Sequence, residues 1–192
     1  MGDFELVVDR LSEVPAHHAF EARAGWWAQR EAEGEDAACL VETPFRFELE
    51  VARIRDQIVL EGDLVGRVGL ECSRCAKRYS HALRDSFRLV LSPVEDREPV
   101  DPEGAQSLAA TGLCLAGEDL EAGWFRGPVI RLDDFFAELI ALAMPLQPLC
   151  RSDCLGICSH CGVDLSEALC ECVDEKIDSP FAALAKLKGV ED

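Results

Sequence analysis

The chain has 192 residues, of which 48% are hydrophobic, enough for one domain with a real core or a domain with a small appendage. Its formal net charge of −18 excludes a protein that coats nucleic acid by general attraction, because phosphate binding requires cationic neutralisation. Ten cysteines, an acidic start at Met1 to Arg10 and no apolar run longer than Leu139 to Met144 point away from secretion and membrane spanning. In the reducing, cytoplasmic setting this implies, close-set thiols are more often metal ligands than disulfides.

Taken in chain order, His17 to Glu33 predicts a helix, with Phe20, Ala24, Trp27 and Ala28 on one stripe. Phe20 and Trp27 are expected against the body, and Trp26, about 100° round, at the surface. From Pro44 the period changes to two. Phe45, Phe47, Leu49 and Val51 alternate with Arg46, Glu48 and Glu50, the pattern of a half-buried strand. Ile58 to Leu60, Leu64 to Leu70 and Phe87 to Leu91 continue the strand signal, with Glu61-Gly62-Asp63 as the expected turn. These spacings predict an antiparallel sheet or partial barrel.

Between Pro93 and Gly123 the strand pattern stops and acids dominate, including Glu95, Asp96, Glu98, Asp101, Glu103, Glu118, Asp119 and Glu121 against Arg97. The expectation is a long solvated loop, or else a docking segment for a basic partner. Cys39 and Cys114 are isolated and are given no ligand role. After a short strand at Val129 to Leu132, Asp133 is expected to cap a helix striped by Phe135, Phe136, Leu139, Ile140 and Ala143 and stopped by Pro145. A last helix is expected from the Ser179 cap through Phe181, Leu184 and Ala185 to Gly189. The fold class is therefore α+β, divided into a body over 1–145 and a cysteine-rich segment with its helix over 146–192, packed on that body.

Cys150, Cys154, Cys158, Cys161, Cys170 and Cys172 form the pattern C-x3-C-x3-C-x2-C-x8-C-x-C. Cys158-Ser-His-Cys161-Gly162 makes a tight turn that aims two sulfurs at one point, and Gly162 can take the positive φ this needs. Cys170 and Cys172 return to complete a four-sulfur site that thiolate softness assigns to zinc before iron. Cys150 and Cys154 are left to pair with Cys72-Ser-Arg-Cys75, clipping two segments distant in sequence into a second site. Closed tetrathiolate sites leave no open position for water or substrate, so one or two structural Zn²⁺ are expected, with no catalysis and no small-molecule substrate. A redox use of Cys72 and Cys75 would need a strand-to-helix setting that the extended flanks do not offer. His17, His18, His81 and His160 show no ligand pattern.

Against the acidic background, Arg67, Arg74, Lys77, Arg78, Arg84 and Arg88 face only Glu71 and Asp85 in their stretch. A contact to RNA phosphates is the hypothesis there, against a solvated sheet face. No basic recognition helix suggests a sequence-specific transcription factor.

With Leu70-Glu71-Cys72-Ser-Arg-Cys75, then Leu146-Gln-Pro-Leu-Cys150-Arg-Ser-Asp-Cys154-Leu-Gly-Ile-Cys158-Ser-His-Cys161-Gly162 and Ser179-Pro-Phe-Ala-Ala-Leu-Ala-Lys-Leu-Lys188, the chain resembles the YceD family, the large ribosomal RNA subunit accumulation proteins. The resemblance runs from about Phe45 onward. It implies a cytoplasmic, non-enzymatic factor supporting accumulation of large-subunit ribosomal RNA and ribosome assembly. The family's cysteine motifs match the eight clustered cysteines here. Its partner would be ribosomal RNA or a basic large-subunit ribosomal protein, with no membrane involved; the alternative is a thiol redox or metal-sensing protein using Cys72 and Cys75.

Overall fold

The structure, a computed structural model, describes residues 4–31, 39–94, 102–116 and 119–172. Its frame is three long antiparallel strands, β3 (Leu40–Ile54), β4 (Gln57–Glu71) and β5 (Arg78–Pro93). The alternation from Phe45 to Val51 behaves as the sequence demands: the four apolar residues are buried, and Arg46, Glu48 and Glu50 are exposed. β2 (Ala16–Ala22) pairs with the outer edge of β3. On the other side β7 (Asp119–Phe125) runs parallel to the end of β5, and β6 (Leu113–Ala116) closes the order β2-β3-β4-β5-β7-β6. Among the described residues β2 and β6 remain edges, so the sheet is open rather than a closed barrel.

The buried face is covered by helix α3 (Asp133–Ala143), whose stripe of Phe135, Phe136, Leu139 and Ile140 is buried as its spacing predicts. Phe136 stacks on Phe47 with ring centroids 3.8 Å apart, and Phe135 meets Phe87 edge-on. A small ribbon of β1 (Glu5–Val7) and β8 (Val129–Arg131) flanks the helix. Just before it Phe4 packs edge-on against Phe20, Trp26, Phe47 and Phe136. None of the described helices is long and apolar enough to cross a membrane.

Several expectations are corrected. The predicted helix from His17 to Glu33 is split: β2 takes its first half, and helix α1 (Ala24–Glu31) only the second. The sequence there carries two periods at once. His18, Phe20 and Ala22 face inward at spacing two, and pairing with β3 satisfies their backbone groups, which a helix on this site could not do for the edge of β3. Trp26 is half-buried against Phe4, and its Nε1 donates to Asp133 Oδ1 at 3.3 Å. Asp133 is accordingly the first residue of α3 and not its cap, which is Leu132 without a side-chain hydrogen bond.

Glu61-Gly62-Asp63 is no turn. It lies inside β4, whose true hairpin with β3 closes at Arg55 and Asp56, Arg55 having φ +58°. Gly62 faces inward, where an added Cβ would stand 2.4 Å from the Glu48 carbonyl oxygen and 2.6 Å from the Leu49 Cβ. Glycine is there because two strands approach closely, not because the chain reverses. The acidic stretch from Pro93 to Gly123 is likewise not one loop. It carries helix α2 (Pro102–Thr111) and strands β6 and β7, and Cys114 is buried in β6. A parallel pairing needs a crossover, and this stretch supplies it. Glu95, Asp96, Arg97, Glu98, Asp101 and Glu118, and the helix expected from Ser179 to Gly189, lie outside the described residues.

Candidate metal centre

Cys72 leaves the end of β4 and Cys75 precedes the start of β5, so the connection between the two strands is itself a cysteine turn. Cys72 N–H donates to the Lys77 carbonyl at 2.9 Å, and Ala76 N–H to the Cys72 carbonyl at 2.9 Å, with Ala76 at φ +56°. These bonds fold the four-residue segment tightly enough to turn both sulfurs to one side. After α3 the chain runs across this turn. The Pro148 carbonyl accepts from Ser73 N–H at 2.8 Å and from its hydroxyl at 3.0 Å, which brings Cys150 and Cys154 over the first pair.

The four sulfurs of Cys72, Cys75, Cys150 and Cys154 lie within 4.8 Å of one another, as do those of Cys158, Cys161, Cys170 and Cys172. The sequence pairing and the geometry thus group the eight cysteines in the same way. A tetrahedral zinc with Zn–S near 2.3 Å sets S···S edges of roughly 3.8 Å. Cys72 to Cys154 is 3.9 Å and Cys75 to Cys150 is 3.7 Å in the first group, and Cys161 to Cys170 is 3.6 Å in the second. Cys158 to Cys170 is shorter, at 3.2 Å. All are far beyond the roughly 2.05 Å of a disulfide. Two sets of four soft donors at these separations fit a tetrahedral dication.

The two sites differ in setting. In the inner one Cys72, Cys75 and Cys154 are buried with Tyr79 and Leu149 packed around them. In the outer one Cys161 and Cys172 are exposed. The outer turn is fixed by Cys158 N–H to the Val163 carbonyl at 2.8 Å and Gly162 N–H to the Cys158 carbonyl at 2.9 Å, with Gly162 at φ +73° as its spacing predicts. Asp164 then caps the turn that returns Cys170, its carbonyl accepting from Glu167 and Ala168 N–H and its Oδ1 from Ser166 N–H.

The electrostatics favour a cation. Backbone N–H groups, that of Cys150 foremost, draw the Cys72 thiol down to about 6, and those of Cys161 and His160 do the same for Cys158, also to about 6. Burial and then the neighbouring sulfurs push Cys150 up to about 12, and the Cys170 and Cys161 sulfurs push Cys172 up to about 12. One thiolate in each group forms readily, while burial and neighbouring sulfurs resist ionisation at Cys150 and neighbouring sulfurs resist it at Cys172. A bound dication removes that resistance and deprotonates the set.

The six cations singled out in the sequence do not form one patch around the cysteine turn. Arg88 sits roughly 33 Å along β5 from Arg78, at about 3.3 Å per residue, where it pairs with Glu61 at 2.8 Å. Arg67 and Arg84 lie on the exposed face of β4 and β5, Arg67 bonded to the Ser80 hydroxyl at 3.3 Å. Arg74 and Lys77 are exposed, yet both are engaged with other segments of the chain. Arg74 Nη1 donates to the Cys154 carbonyl at 2.8 Å, and Lys77 Nζ pairs with Asp164 Oδ2 at 2.8 Å and with Glu167. Sequence reasoning misses these roles, because 90 residues separate Lys77 from Glu167 and no local pattern joins them. Among the described residues Cys39, Cys114 and the four histidines belong to neither sulfur group.

The family model described as "Large ribosomal RNA subunit accumulation protein YceD" matches residues 60–188. The protein is 26% identical over 157 residues to an Arabidopsis thaliana protein named large ribosomal RNA subunit accumulation protein YCED homolog 1, chloroplastic, covering 76% of this chain and 49% of that one. It is 27% identical over 165 residues to the Zea mays protein of the same name, covering 77% and 54% respectively. An uncharacterized Mycobacterium tuberculosis protein is 26% identical over 144 residues, covering 75% of this chain and 62% of its own. The chain thus spans about half the length of the plant relatives. No solved structure matches it. With the matched residues taking in most of β4, all of β5 and all eight clustered cysteines, the chain belongs to the YceD family of large ribosomal RNA subunit accumulation proteins.

Proposed function

We propose that the protein is a non-enzymatic factor that supports accumulation of large-subunit ribosomal RNA, with two zinc ions held structurally by its eight clustered cysteines. The observation that carries the metal part is the pair of four-sulfur groups, each within 4.8 Å. Each set is complete in itself and leaves no coordination position open for a substrate, which argues for a scaffold rather than a catalyst. The family carries the ribosomal part. A net charge of −18 suits a basic large-subunit ribosomal protein as the direct partner, while Arg67, Arg78 and Arg84 on the exposed side of the sheet offer a local contact to RNA phosphates. Such a factor works in the cytoplasm, where the subunits are assembled.

The test is a deletion strain complemented with the protein or with Cys72→Ser. Loss of the gene lowers large-subunit ribosomal RNA relative to small-subunit RNA, the intact protein restores it, and C72S restores it poorly. An unchanged RNA ratio in the deletion strain overturns the function. Metal analysis of anaerobically purified protein is expected to give two zinc ions per chain. Metal-free protein in which Cys72 and Cys75 cycle readily between thiol and disulfide would favour redox work instead, a use the lowered Cys72 thiol permits but the strand-to-strand setting of the pair does not promote.

A further inference from the structure

We infer that Arg74 and Lys77 are positioning residues through which the inner cysteine site templates the outer one, so that the outer metal is the exchangeable ion and its retention depends on the inner turn. The inference rests on the metal reading proposed above and goes beyond it by ranking and coupling the two sites.

Three observations converge on it. The first is access: three of the four inner sulfurs belong to residues at most 7% exposed, whereas Cys161 and Cys172 face solvent. A chelator competing for metal meets the outer sulfurs first.

The second is where the outer module stands. Ile157 N–H donates to the Arg74 carbonyl at 3.2 Å, and the Arg74 guanidinium donates to the Cys154 carbonyl. Gly156 takes φ +82° directly over Arg74, where an added Cβ would be 3.0 Å from the same carbonyl oxygen. Arg74 lies between Cys72 and Cys75. The strand bridge from Ile157 to Asp164, which frames the Cys158 turn, is therefore built on the inner turn.

The third is Lys77, two residues past Cys75, whose ammonium reaches Asp164 and Glu167. Asp164 is the residue whose backbone and side chain cap the return of Cys170, and its own side chain is only 13% exposed. Lys77 thereby holds the segment that delivers half of the outer donors. The inner turn is firm without help from the outer module, since its own backbone bonds and the sheet fix it. The outer module runs only 15 residues, from Cys158 to Cys172, with few buried apolar groups: Leu169 within it is 98% exposed and Leu155 just before it 66%. Its order depends on metal and on this platform. Linkage makes the coupling reciprocal in free energy, yet the burial difference makes the outer ion the one that leaves first.

The experiment loads the full chain with two zinc ions and challenges it with excess 4-(2-pyridylazo)resorcinol, following zinc transfer by absorbance. The intact protein releases zinc in two phases, one ion each. Cys170→Ser abolishes the fast phase and leaves the slow ion in place. Lys77→Met, at a half-exposed position outside the core, speeds the fast phase roughly twofold to fivefold, the range of a partly exposed charge pair, and leaves the slow phase unchanged. Cys72→Ser removes the slow ion and also speeds release of the remaining one. A single release phase, loss of both ions in C170S, or a fast phase indifferent to K77M overturns the coupling while leaving the metal reading intact. A chain that takes up no zinc overturns the metal reading itself.

Discussion

The sheet body and the cysteine-bearing tail are held by different forces. In the body, aromatic rings from β3, β5 and α3 interlock around Phe136, and apolar side chains from Phe45 to Leu91 are buried on the sheet's inner face. In the described part of the tail, Leu146 is fully exposed and Leu169 nearly so, and besides the sulfurs the ordering contacts are backbone hydrogen bonds, side-chain ones such as Arg74 to the Cys154 carbonyl, and the bridge from Lys77 to Asp164 and Glu167. Apolar burial thins from the inner sulfur group, where Tyr79 and Leu149 pack on Cys72, Cys75 and Cys154, to the outer one. The body folds by excluding water; on the metal reading proposed above, the tail folds by gathering donors about a cation.

The largest test of that contrast is metal removal. Structural zinc contributes on the order of 10–16 kcal/mol in small zinc modules, so exhaustive chelation is expected to abolish amide-exchange protection at Cys154, Cys158 and Gly162. The β-sheet circular dichroism should persist. Coincident loss of the sheet signal would make metal the organiser of the whole chain and erase the distinction.

The reverse test is Phe136→Ala. It removes the ring at the centre of the aromatic cluster and should lower body stability by about 3–5 kcal/mol, read from denaturant midpoints, with zinc content per chain unaltered. Lost zinc in a still-folded F136A protein would show that the body dictates the tail.

The smallest effect is electrostatic. Lys77 holds the Asp164 carboxyl below the usual carboxylate range. A depressed carboxyl contributes stability that is present above its unfolded value and is lost as pH falls through the folded one. Carbon-detected NMR should therefore find Asp164 titrating below about 3.9, and K77M should bring it back up toward that value. An Asp164 titration unmoved by K77M would detach the bridge from the tail's order.

How much of this was written in the sequence divides along the same line. The Phe45 to Val51 alternation and the Phe135 to Ile140 stripe were legible because one face of each is buried throughout, so period and burial agree. The cysteine groups were legible because spacing alone limits which sulfurs can meet. The β2 strand was hidden under an alanine-rich helical pattern, since what decides it is the open edge of β3, a tertiary partner. Gly62 was mistaken for a turn because a glycine required by close strand approach looks, in one dimension, like a glycine required by chain reversal. The crossover through α2 and β7 was masked by its charge. Arg74 and Lys77 were misjudged for the same reason as Trp26: their partners are supplied by segments far along the chain.

The inner site joins Cys75 to a sulfur 75 residues later, and this has a consequence for how the protein is made. At roughly 5–20 residues per second, a translating ribosome needs about 4–15 s to deliver the second pair after the first. Through that interval the nascent β4–β5 hairpin carries two thiols of a half-built ligand set. On the metal reading, the inner set is complete only once Cys154 has emerged, 82 residues after Cys72, so metal supply and protection of that waiting pair set the yield of finished molecules.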